Sequence, residues 1–149
     1  VAFALAAAGT GKLLIVNRTV SKAEALASEL NKKYPGIAEA FALTEDNEST
    51  AIKRSDYVVN TTNLGMMPNV DTVAIDTSLL EARHFVSDVV YAPLETRLLR
   101  EAKARGCRTM NGIWMLVYQG LEAIRIWTGL DASPLVMHDA AVAALKDRQ

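Results

Sequence analysis

Short apolar segments alternate with helical segments along most of this chain, and that alternation restricts the fold more than any other feature. The predicted strands lie near residues 13–16, 38–43, 56–60, 84–90 and 107–110. The predicted helices lie near 1–8, 20–33, 47–54, 96–105, 113–127 and 134–146. Because strands that alternate with helices pair in parallel, the pattern predicts an α/β domain with a mostly parallel sheet. The last two helices follow without another strand.

The composition indicates a globular domain of balanced charge. The chain has 149 residues, half of them apolar, so it can bury a substantial core without disulfides or metals. Sixteen basic and seventeen acidic side chains leave a formal charge of -1, which favours neither a nucleic-acid surface nor an acidic tail. The longest apolar stretch, Val1 to Ala8, is too short to span a membrane and lacks signal-peptide flanks. We therefore expect a cytoplasmic protein that binds neither nucleic acid nor membrane.

Cysteine and histidine are sparse in the sequence. Cys107 is the only cysteine, so the chain can form neither an internal disulfide nor a cysteine-rich zinc site. It lies in a predicted strand, which favours a buried, unreactive thiol. His84 and His138 have no second histidine at ligand spacing, so both are expected to be structural or exposed. No metal site is expected.

The first predicted strand ends in a basic, hydroxyl-rich turn that contains Asn17, Arg18, Thr19 and Lys22. In a doubly wound dinucleotide fold, the residue just after the second strand faces the adenosine ribose. An acidic residue there binds a free 2'-hydroxyl, whereas arginine accommodates a 2'-phosphate. Arg18 stands at that place, with Thr19 as a neutral hydrogen-bond partner and Lys22 as a second charge. The turn therefore favours NADP over NAD.

A simpler interpretation of the same turn stays open at this point. Thr19 or Ser21 can cap the following helix, and Ser21 with Glu24 matches a capping box. A helix cap and a phosphate site can share residues, because both use the free N–H groups at the start of a helix. The turn alone does not separate the two interpretations.

Four separated segments together resemble one protein family. They are Asn17-Arg18-Thr19-Val20-Ser21-Lys22-Ala23, Asn60-Thr61-Thr62-Asn63-Leu64-Gly65-Met66, Asp88-Val89-Val90-Tyr91-Ala92-Pro93-Leu94-Glu95-Thr96 and Asn111-Gly112-Ile113-Trp114-Met115-Leu116-Val117-Tyr118-Gln119-Gly120. In order and spacing they are similar to the nucleotide-binding half of shikimate dehydrogenases, from about residue 1 to residue 131. The resemblance implies a Rossmann-like, doubly wound fold. It also implies an NADP-dependent oxidoreductase that interconverts 3-dehydroshikimate and shikimate in aromatic amino acid biosynthesis.

The resemblance also implies roles for individual residues. Asn17, Arg18, Thr19 and Lys22 resemble the clamp for the adenosine phosphate, and Thr61 and Thr62 would lie along the cofactor. Val89 and Gly112 resemble positions whose backbones border the nicotinamide. Tyr91 and Gln119 resemble residues that hydrogen-bond the substrate, because a phenol and an amide each offer a donor and an acceptor. Gln119 stands among apolar neighbours, and burial there without a partner would be costly.

Two parts of the family pattern are absent. The family has a short strand and a Gly-x-Gly-Gly-Ala type loop before the helix that begins here at Val1, so we expect a sheet truncated at its N-terminus. The resulting gap is expected at the sheet centre, between the first two strands still present. The N-terminal substrate domain, which in the family supplies the lysine and aspartate for proton transfer, is also absent. No residue of this chain, Lys12 and Lys22 included, is therefore assigned a catalytic role.

Two positions depart from the family pattern within the matching segments. Trp114 stands where the family usually has glycine beside the nicotinamide edge, so the indole is expected to narrow the cofactor site or to stack over it. Asn63 replaces a common proline or serine, which changes the stiffness expected of the loop after Thr62. Both departures bear on specificity.

These absences lead to expectations for the whole chain. It is expected to be a fragment, a proteolysed product or the ordered part of a longer protein, and inactive by itself. Residues 1–111 are predicted to form an incomplete NADP-binding domain, and residues 112–149 a helical appendage that packs toward the missing substrate domain. A second fragment or a swapped partner, and hence a homo-oligomer, is expected at the open sheet edge. The alternatives are a quinate/shikimate dehydrogenase, a non-catalytic NADP-binding or assembly module, and an unrelated α/β domain.

Overall fold

The computed structural model describes residues 1–146 of the chain. Within them the strands are β1 (Leu13–Asn17), β2 (Ala38–Ala42), β3 (Tyr57–Asn60), β4 (Phe85–Asp88) and β5 (Arg108–Met110). The helices are α1 (Ala2–Ala7), α2 (Val20–Lys33), α3 (Glu45–Lys53), α4 (Arg97–Ala104), α5 (Ile113–Thr128) and α6 (Pro134–Lys146). A short 3-10 helix, Thr77–Leu79, precedes β4. All predicted strands and helices are confirmed, with ends shifted by at most two residues.

The strands form two hydrogen-bonded sheets in which every pairing is parallel. One sheet contains β1 and β2, and the other has the order β3-β4-β5. The predicted α/β class with parallel strands is therefore confirmed. The predicted position of the gap is wrong, because β1 and β2 pair directly from Leu13 with Ala38 to Asn17 with Ala42. Neither strand of this pair is hydrogen-bonded to the β3-β4-β5 sheet among the described residues.

The residue contacts divide the chain into two compact units, Val1–Ser55 and a second unit that begins at Asp56. We call them unit 1 and unit 2. This division differs from the predicted domain boundary between residues 111 and 112. That boundary stays a prediction. Residues 147–149 of the predicted appendage lie outside the described residues.

Unit 1 packs α1 and α2 against the two-stranded sheet. Its buried core consists of Ala6, Ala27, Leu30, Ile37 and Ala38. Asn31 fastens α2 to β2, because its side-chain amide donates to the Ala38 carbonyl and accepts from the Ala38 N–H, both at 2.9 Å. The small alanine side chains at the contact let α2 and the sheet approach closely. The turn after β1 therefore adjoins a well-packed part of unit 1.

The start of α2 corrects one sequence interpretation. Thr19 is the N-cap residue, but its hydroxyl makes no capping hydrogen bond, and Ser21 lies inside the helix. The Ser21–Glu24 capping box is therefore wrong, since a box needs its serine at the N-cap. The turn is held instead by Asn17, whose side-chain oxygen accepts from the Thr19 N–H at 2.8 Å. In α3 the hydroxyl of Thr44 does cap the helix, accepting from the Asn47 N–H at 3.2 Å.

Unit 2 has its core between the three-stranded sheet and α4, with α5 following β5. The buried apolar side chains include Val86 of β4 with Leu98, Leu99 and Ala102 of α4. The α4 helix is strongly amphipathic and has Thr96 as its N-cap. Cys107 is buried, as predicted, and burial raises the pKa of its thiol. His84 is fully buried, so its predicted structural role is confirmed, and its Nδ1 accepts from the Glu81 N–H at 2.9 Å.

Helices α5 and α6 pack on each other as a hairpin. α5 ends at Gly129, whose φ of 71° closes the helix in the left-handed conformation. Gly120 permits the close approach of α6, because a Cβ there would lie 2.8 Å from the terminal methyl of Met137. The Trp114 indole stacks on the His138 imidazole with ring centroids 4.3 Å apart. Within residues 1–146 no helix is both long and apolar enough to cross a membrane.

Candidate functional site

The carboxyl ends of the three strands in unit 2 bring several predicted site residues to one sheet edge. Thr61 and Thr62 follow β3, Val89 and Tyr91 follow β4, and Gly112 follows β5. Because the three strands are parallel, their carboxyl ends share the same edge. The Val89 N–H donates to the Asn60 carbonyl at 3.0 Å, which joins the first two loops. Ligands of open α/β sheets bind outside the carboxyl ends of the strands, so this edge is the candidate site.

Gly112 is packed against the loop that follows β4. A Cβ at this position would lie 2.1 Å from the Val89 carbonyl oxygen and 3.1 Å from that of Val90. The Gly112 N–H donates to the Val90 carbonyl at 3.1 Å. The φ of Gly112 is −78°, so it is close approach and not backbone conformation that requires glycine here. The structure therefore places Val89 and Gly112, predicted separately, in direct contact.

A polar cluster lies at this edge, and three of its members have no role predicted from the sequence. We call it the Asp88 network, and its side chains are the buried Asn60, Asp88 and Thr96 together with the exposed Thr62. The Asp88 side chain is 1% exposed, and one of its oxygens accepts from Asn60 Nδ2 and from the Val90 N–H, both at 3.0 Å. Its other oxygen accepts from the Thr96 hydroxyl at 2.7 Å. Three donors thus converge on one carboxyl group, and both of its oxygens are hydrogen-bonded.

The network continues from Asn60 into the loop after β3. The Asn60 side-chain oxygen accepts from the Thr62 N–H at 2.9 Å and from the Thr62 hydroxyl at 2.7 Å. The Thr62 hydroxyl in turn accepts from the Leu64 N–H at 3.1 Å. A signal was present in the sequence, because Asn60 follows the apolar run Tyr57 to Val59 and Asp88 stands within the mostly apolar segment 84–90. Such residues are costly to bury unless they find partners, and here they find each other.

The two predicted substrate residues lie at the surface of unit 2. Tyr91 follows the network loop and is 38% exposed. Gln119 lies on α5 and is also exposed, so the cost of burying its amide without a partner does not arise. Only one face of α5 packs against the core. Val117 lies on that face, while Met115, Tyr118 and Gln119 face outward. Both side chains are free to meet a ligand.

Trp114 lies two residues after Gly112 and is half-buried. Its indole is engaged with the imidazole of His138, and with the ring of Tyr118 at a centroid distance of 5.9 Å. His138 is itself beside Asp139, with 3.1 Å between Nδ1 and a carboxylate oxygen. The expectation that the indole narrows or covers the cofactor site stays a prediction, and the structure assigns the ring a packing role between α5 and α6.

The predicted phosphate clamp lies in unit 1, at the carboxyl end of β1. Asn17, Arg18, Thr19 and Lys22 are all exposed. Among the described residues, neither Arg18 nor Lys22 has an ion-pair partner, although other cations of unit 1 do. The Arg18 guanidinium and the Lys22 ammonium are therefore available to an anion. Within residues 1–146, no group of three or more His, Cys, Asp and Glu side chains is placed to hold a metal ion.

Comparison with known proteins agrees with this architecture. The family model described as Shikimate 5'-dehydrogenase C-terminal domain matches residues 112–142. The shikimate dehydrogenase (NADP(+)) of Methanosarcina acetivorans is 42% identical over 147 residues, which are 98% of this chain and 51% of that protein. The solved quinate dehydrogenase of Corynebacterium glutamicum, in complex with NAD, is 35% identical with a TM-score of 0.87 and matches 95% of this chain and 50% of its own.

A second solved structure gives the same result. Shikimate 5-dehydrogenase of Thermus thermophilus, in complex with NADP(H) and shikimate, is 37% identical with a TM-score of 0.81 and matches 97% of this chain and 50% of its own. The parallel strands and the loops at their carboxyl ends thus define an α/β protein of the Rossmann-like class. The chain is similar to one half of the shikimate dehydrogenases, and it spans about half the length of the curated relatives it matches.

Proposed function

We propose that this chain is the cofactor-binding half of an NADP-dependent shikimate dehydrogenase, which interconverts 3-dehydroshikimate and shikimate. The observation that carries the proposal is the contact of Gly112 with the Val89 carbonyl, at a position where a Cβ would lie only 2.1 Å away. It brings two backbones together at the sheet edge where α/β proteins hold ligands. Bound NADPH would supply the hydride, and the backbones of Val89 and Gly112 would border its nicotinamide.

The residues of unit 1 support NADP as the cofactor. Arg18 and Lys22 are exposed cations without ion-pair partners among the described residues, directly after β1. A guanidinium can bind a 2'-phosphate through two parallel hydrogen bonds, with Thr19 as a neutral partner. Asn17 shapes the turn through its bond to the Thr19 N–H. In unit 2, the loop of Thr61 and Thr62 would lie along the cofactor.

Tyr91 and Gln119 are the proposed substrate contacts of this half. Each side chain is exposed and offers both a donor and an acceptor to a polyhydroxylated ring. Their role is to orient the ring, because no side chain of this chain is assigned the accompanying proton. We propose that the proton is handled by a lysine and an aspartate in the N-terminal substrate domain of the whole protein.

The C-terminal helices are proposed to pack toward that substrate domain, as part of a helical region from residue 112 onward. Large apolar side chains are strongly exposed around the α5–α6 junction, namely Ile126, Trp127, Leu130, Leu135 and Val136. An apolar patch of this kind is typical of a surface that another protein segment covers. The homo-oligomer and the cytoplasmic location stay predictions.

A quinate/shikimate dehydrogenase is the second candidate. The observation in its favour is the similarity to the solved Corynebacterium glutamicum quinate dehydrogenase, whose complex contains NAD. The two candidates differ in substrate and in cofactor, while the fold is shared. A non-catalytic module is the candidate of another class, and it predicts no turnover with either substrate.

Activity assays with all four pairs of two substrates and two cofactors test these candidates. The polypeptide expressed from its native gene is assayed by the absorbance of the reduced nicotinamide, with shikimate or quinate and with NADP or NAD. The proposal expects the highest kcat/KM for shikimate with NADP. Equal or faster turnover of quinate supports the second candidate. Absence of turnover with all four pairs, in a protein shown to be folded, would favour the non-catalytic module.

A further inference from the structure

Two residues of the Asp88 network stand where they can control the geometry of the candidate site. Asn60 ends β3 and Asp88 ends β4, and the two are directly paired across the sheet. Both side chains are buried, so neither reaches a ligand itself. Their hydrogen bonds nevertheless extend to Thr62 on one side and to the Val90 N–H on the other.

The bonds form one continuous path along the sheet edge. It runs from Thr62 through Asn60 to Asp88, and from Asp88 to the Val90 N–H. The Val90 carbonyl then accepts from the Gly112 N–H at 3.1 Å. The path therefore connects the loops that follow all three strands of unit 2. Val89 and Tyr91 flank the anchored residue Val90, so their backbones are fixed by the same bonds.

We propose that Asn60 and Asp88 are positioning residues, which hold the loops of Thr62, Val89 and Tyr91 in register for hydride transfer. This role rests on the proposed function. Buried groups that lock site loops through hydrogen bonds keep reacting atoms within a narrow geometry, and a displacement of about 1 Å costs about 100-fold in rate. The carboxylate acts here as an acceptor for three donors and not as a proton donor or acceptor in the reaction.

The geometry offers a control that spares the hydrogen bonds within the site loops. The Thr96 hydroxyl donates to the second oxygen of Asp88 and accepts from the Leu99 N–H as the cap of α4, and the side chain meets the loop after β3 only through packing beside Gly65. Thr96→Val removes one buried hydrogen bond of Asp88 and the cap bond from the Leu99 N–H, but it leaves the bonds from Asn60 and Val90. Asn60→Ala removes a bond of Asp88, both bonds to Thr62 and the bond to the Leu64 carbonyl. Both variants are expected to lose stability, but only Asn60→Ala releases hydrogen bonds of the loop after β3.

The experiment compares Asn60→Ala, Thr96→Val and Asp88→Asn in the polypeptide expressed from its native gene. The measurements are kcat and KM for shikimate and NADP, and the midpoint of urea unfolding. We expect Asn60→Ala to lower kcat about 100-fold with a smaller change in the KM for NADP, because the phosphate clamp is made by other residues. Thr96→Val is expected to keep kcat within about threefold although its unfolding midpoint is also lowered.

Asp88→Asn is the conservative variant. Its amide oxygen can still accept from Asn60 and Val90, and its amide nitrogen can donate to the Thr96 oxygen. The positioning role therefore expects kcat to be retained within about tenfold. If Asn60→Ala does not fold, Asn60→Ser takes its place, since serine is too short to bridge Asp88 and Thr62.

The outcomes separate this role from the proposed function. Equal losses of kcat in the Asn60 and Thr96 variants, in step with their unfolding midpoints, overturn the positioning role and leave a structural one. A loss of kcat in Asp88→Asn as large as that in Asn60→Ala also overturns the positioning role. An amide that keeps the same hydrogen bonds would then fail to replace the carboxylate. Absence of turnover in the unsubstituted protein overturns the proposed function, and the positioning role with it.

Discussion

The carboxyl end of β1 in unit 1 and the carboxyl ends of β3 and β4 in unit 2 are built in opposite ways. The turn after β1 is exposed, and its two cations, Arg18 and Lys22, have no ion-pair partner among the described residues. The ends of β3 and β4 carry Asn60 and Asp88, which are buried and whose polar atoms are hydrogen-bonded to one another and to nearby loops. The end of β1 leaves its two cations available to a ligand. The ends of β3 and β4 use their polar atoms in internal hydrogen bonds.

The difference follows from what each region is proposed to do. A phosphate can be recognised by mobile surface cations, because charge attracts over several ångströms and tolerates small displacements. A hydride can be transferred only between atoms held at close and defined distance, which requires loops that do not shift. Buried hydrogen bonds supply that rigidity, provided that every polar group is satisfied.

The largest effect is expected where unit 2 is most tightly packed. Gly112→Ala forces a Cβ to within 2.1 Å of the Val89 carbonyl oxygen, so backbone must move. We expect the free energy of unfolding, measured in urea, to fall by about 3 kcal/mol. Gly11→Ala in unit 1 is the control, because nothing lies within 4 Å of a Cβ there, and it should change stability by less than about 0.5 kcal/mol. Equal effects would mean that the strand end is not close-packed.

The next effect concerns recognition in unit 1. Arg18→Asp replaces a free cation by a carboxylate that repels a 2'-phosphate, so kcat/KM with NADP should fall about 100-fold and kcat/KM with NAD much less. Lys33→Asp is the control, because it makes the same change of net charge at the other end of α2, about 20 Å along the helix. If kcat/KM with NADP fell equally in both variants, the net charge of the protein, and not a local phosphate clamp, would decide the cofactor preference.

A smaller effect is expected in the helical part of unit 2. His138→Ala removes the imidazole that stacks on Trp114 at 4.3 Å, and should lower the free energy of unfolding by about 1 kcal/mol. Trp127→Phe is the control, because that indole is 81% exposed and its loss should cost less than about 0.5 kcal/mol. Unchanged stability in His138→Ala would contradict a packing role for the Trp114 ring.

The smallest effect is a pH dependence at the surface of unit 1, where a carboxylate contrasts with the buried Asp88. A hydrogen bond from Lys12, together with Arg54, holds the pKa of Glu39 below its ordinary value of 4.5. Because the folded-state pKa is the lower one, these contacts stabilise the fold above pH 4.5 and lose that contribution as the pH falls through the lowered pKa.

Glu39→Gln tests this contribution. The variant should reduce stability slightly at about pH 7 and not at about pH 2, so its urea midpoint should depend less on pH than that of the unsubstituted protein. Glu29→Gln, which removes another exposed ion pair of unit 1 with Lys32, is the control. The difference should shrink in high salt, since exposed charges are screened. A Glu39→Gln variant with unchanged pH dependence would contradict the expectation.

The order and type of the elements could be predicted from the sequence because their signals are local. The apolar run that forms β1 and the Pro35-Gly36 stop after α2 act over a few residues, and both elements were confirmed. The close packing of Gly112 was hidden, since a glycine before a helix has several ordinary explanations and only the carbonyl of Val89 distinguishes them.

Three features of the structure did not follow from the sequence pattern. The exposure of Gln119 depends on which face of α5 meets the core, which its apolar neighbours do not reveal. The capping box at Ser21 failed because Asn17 forms the turn and α2 begins at Val20. The gap in the sheet was misplaced because strand order is set by pairing and not by position in the chain.

The sequence by itself determined the α/β class, the strand and helix positions, the basic turn at Arg18 and the resemblance to a family. These follow from local periodicity, from fixed side-chain charge and from motifs in order. Only the tertiary structure decided that Asn60 and Asp88, 28 residues apart, share one buried network. The physical reason is that a polar residue at a strand end is either exposed or satisfied by a neighbour, and the parallel register selects that neighbour.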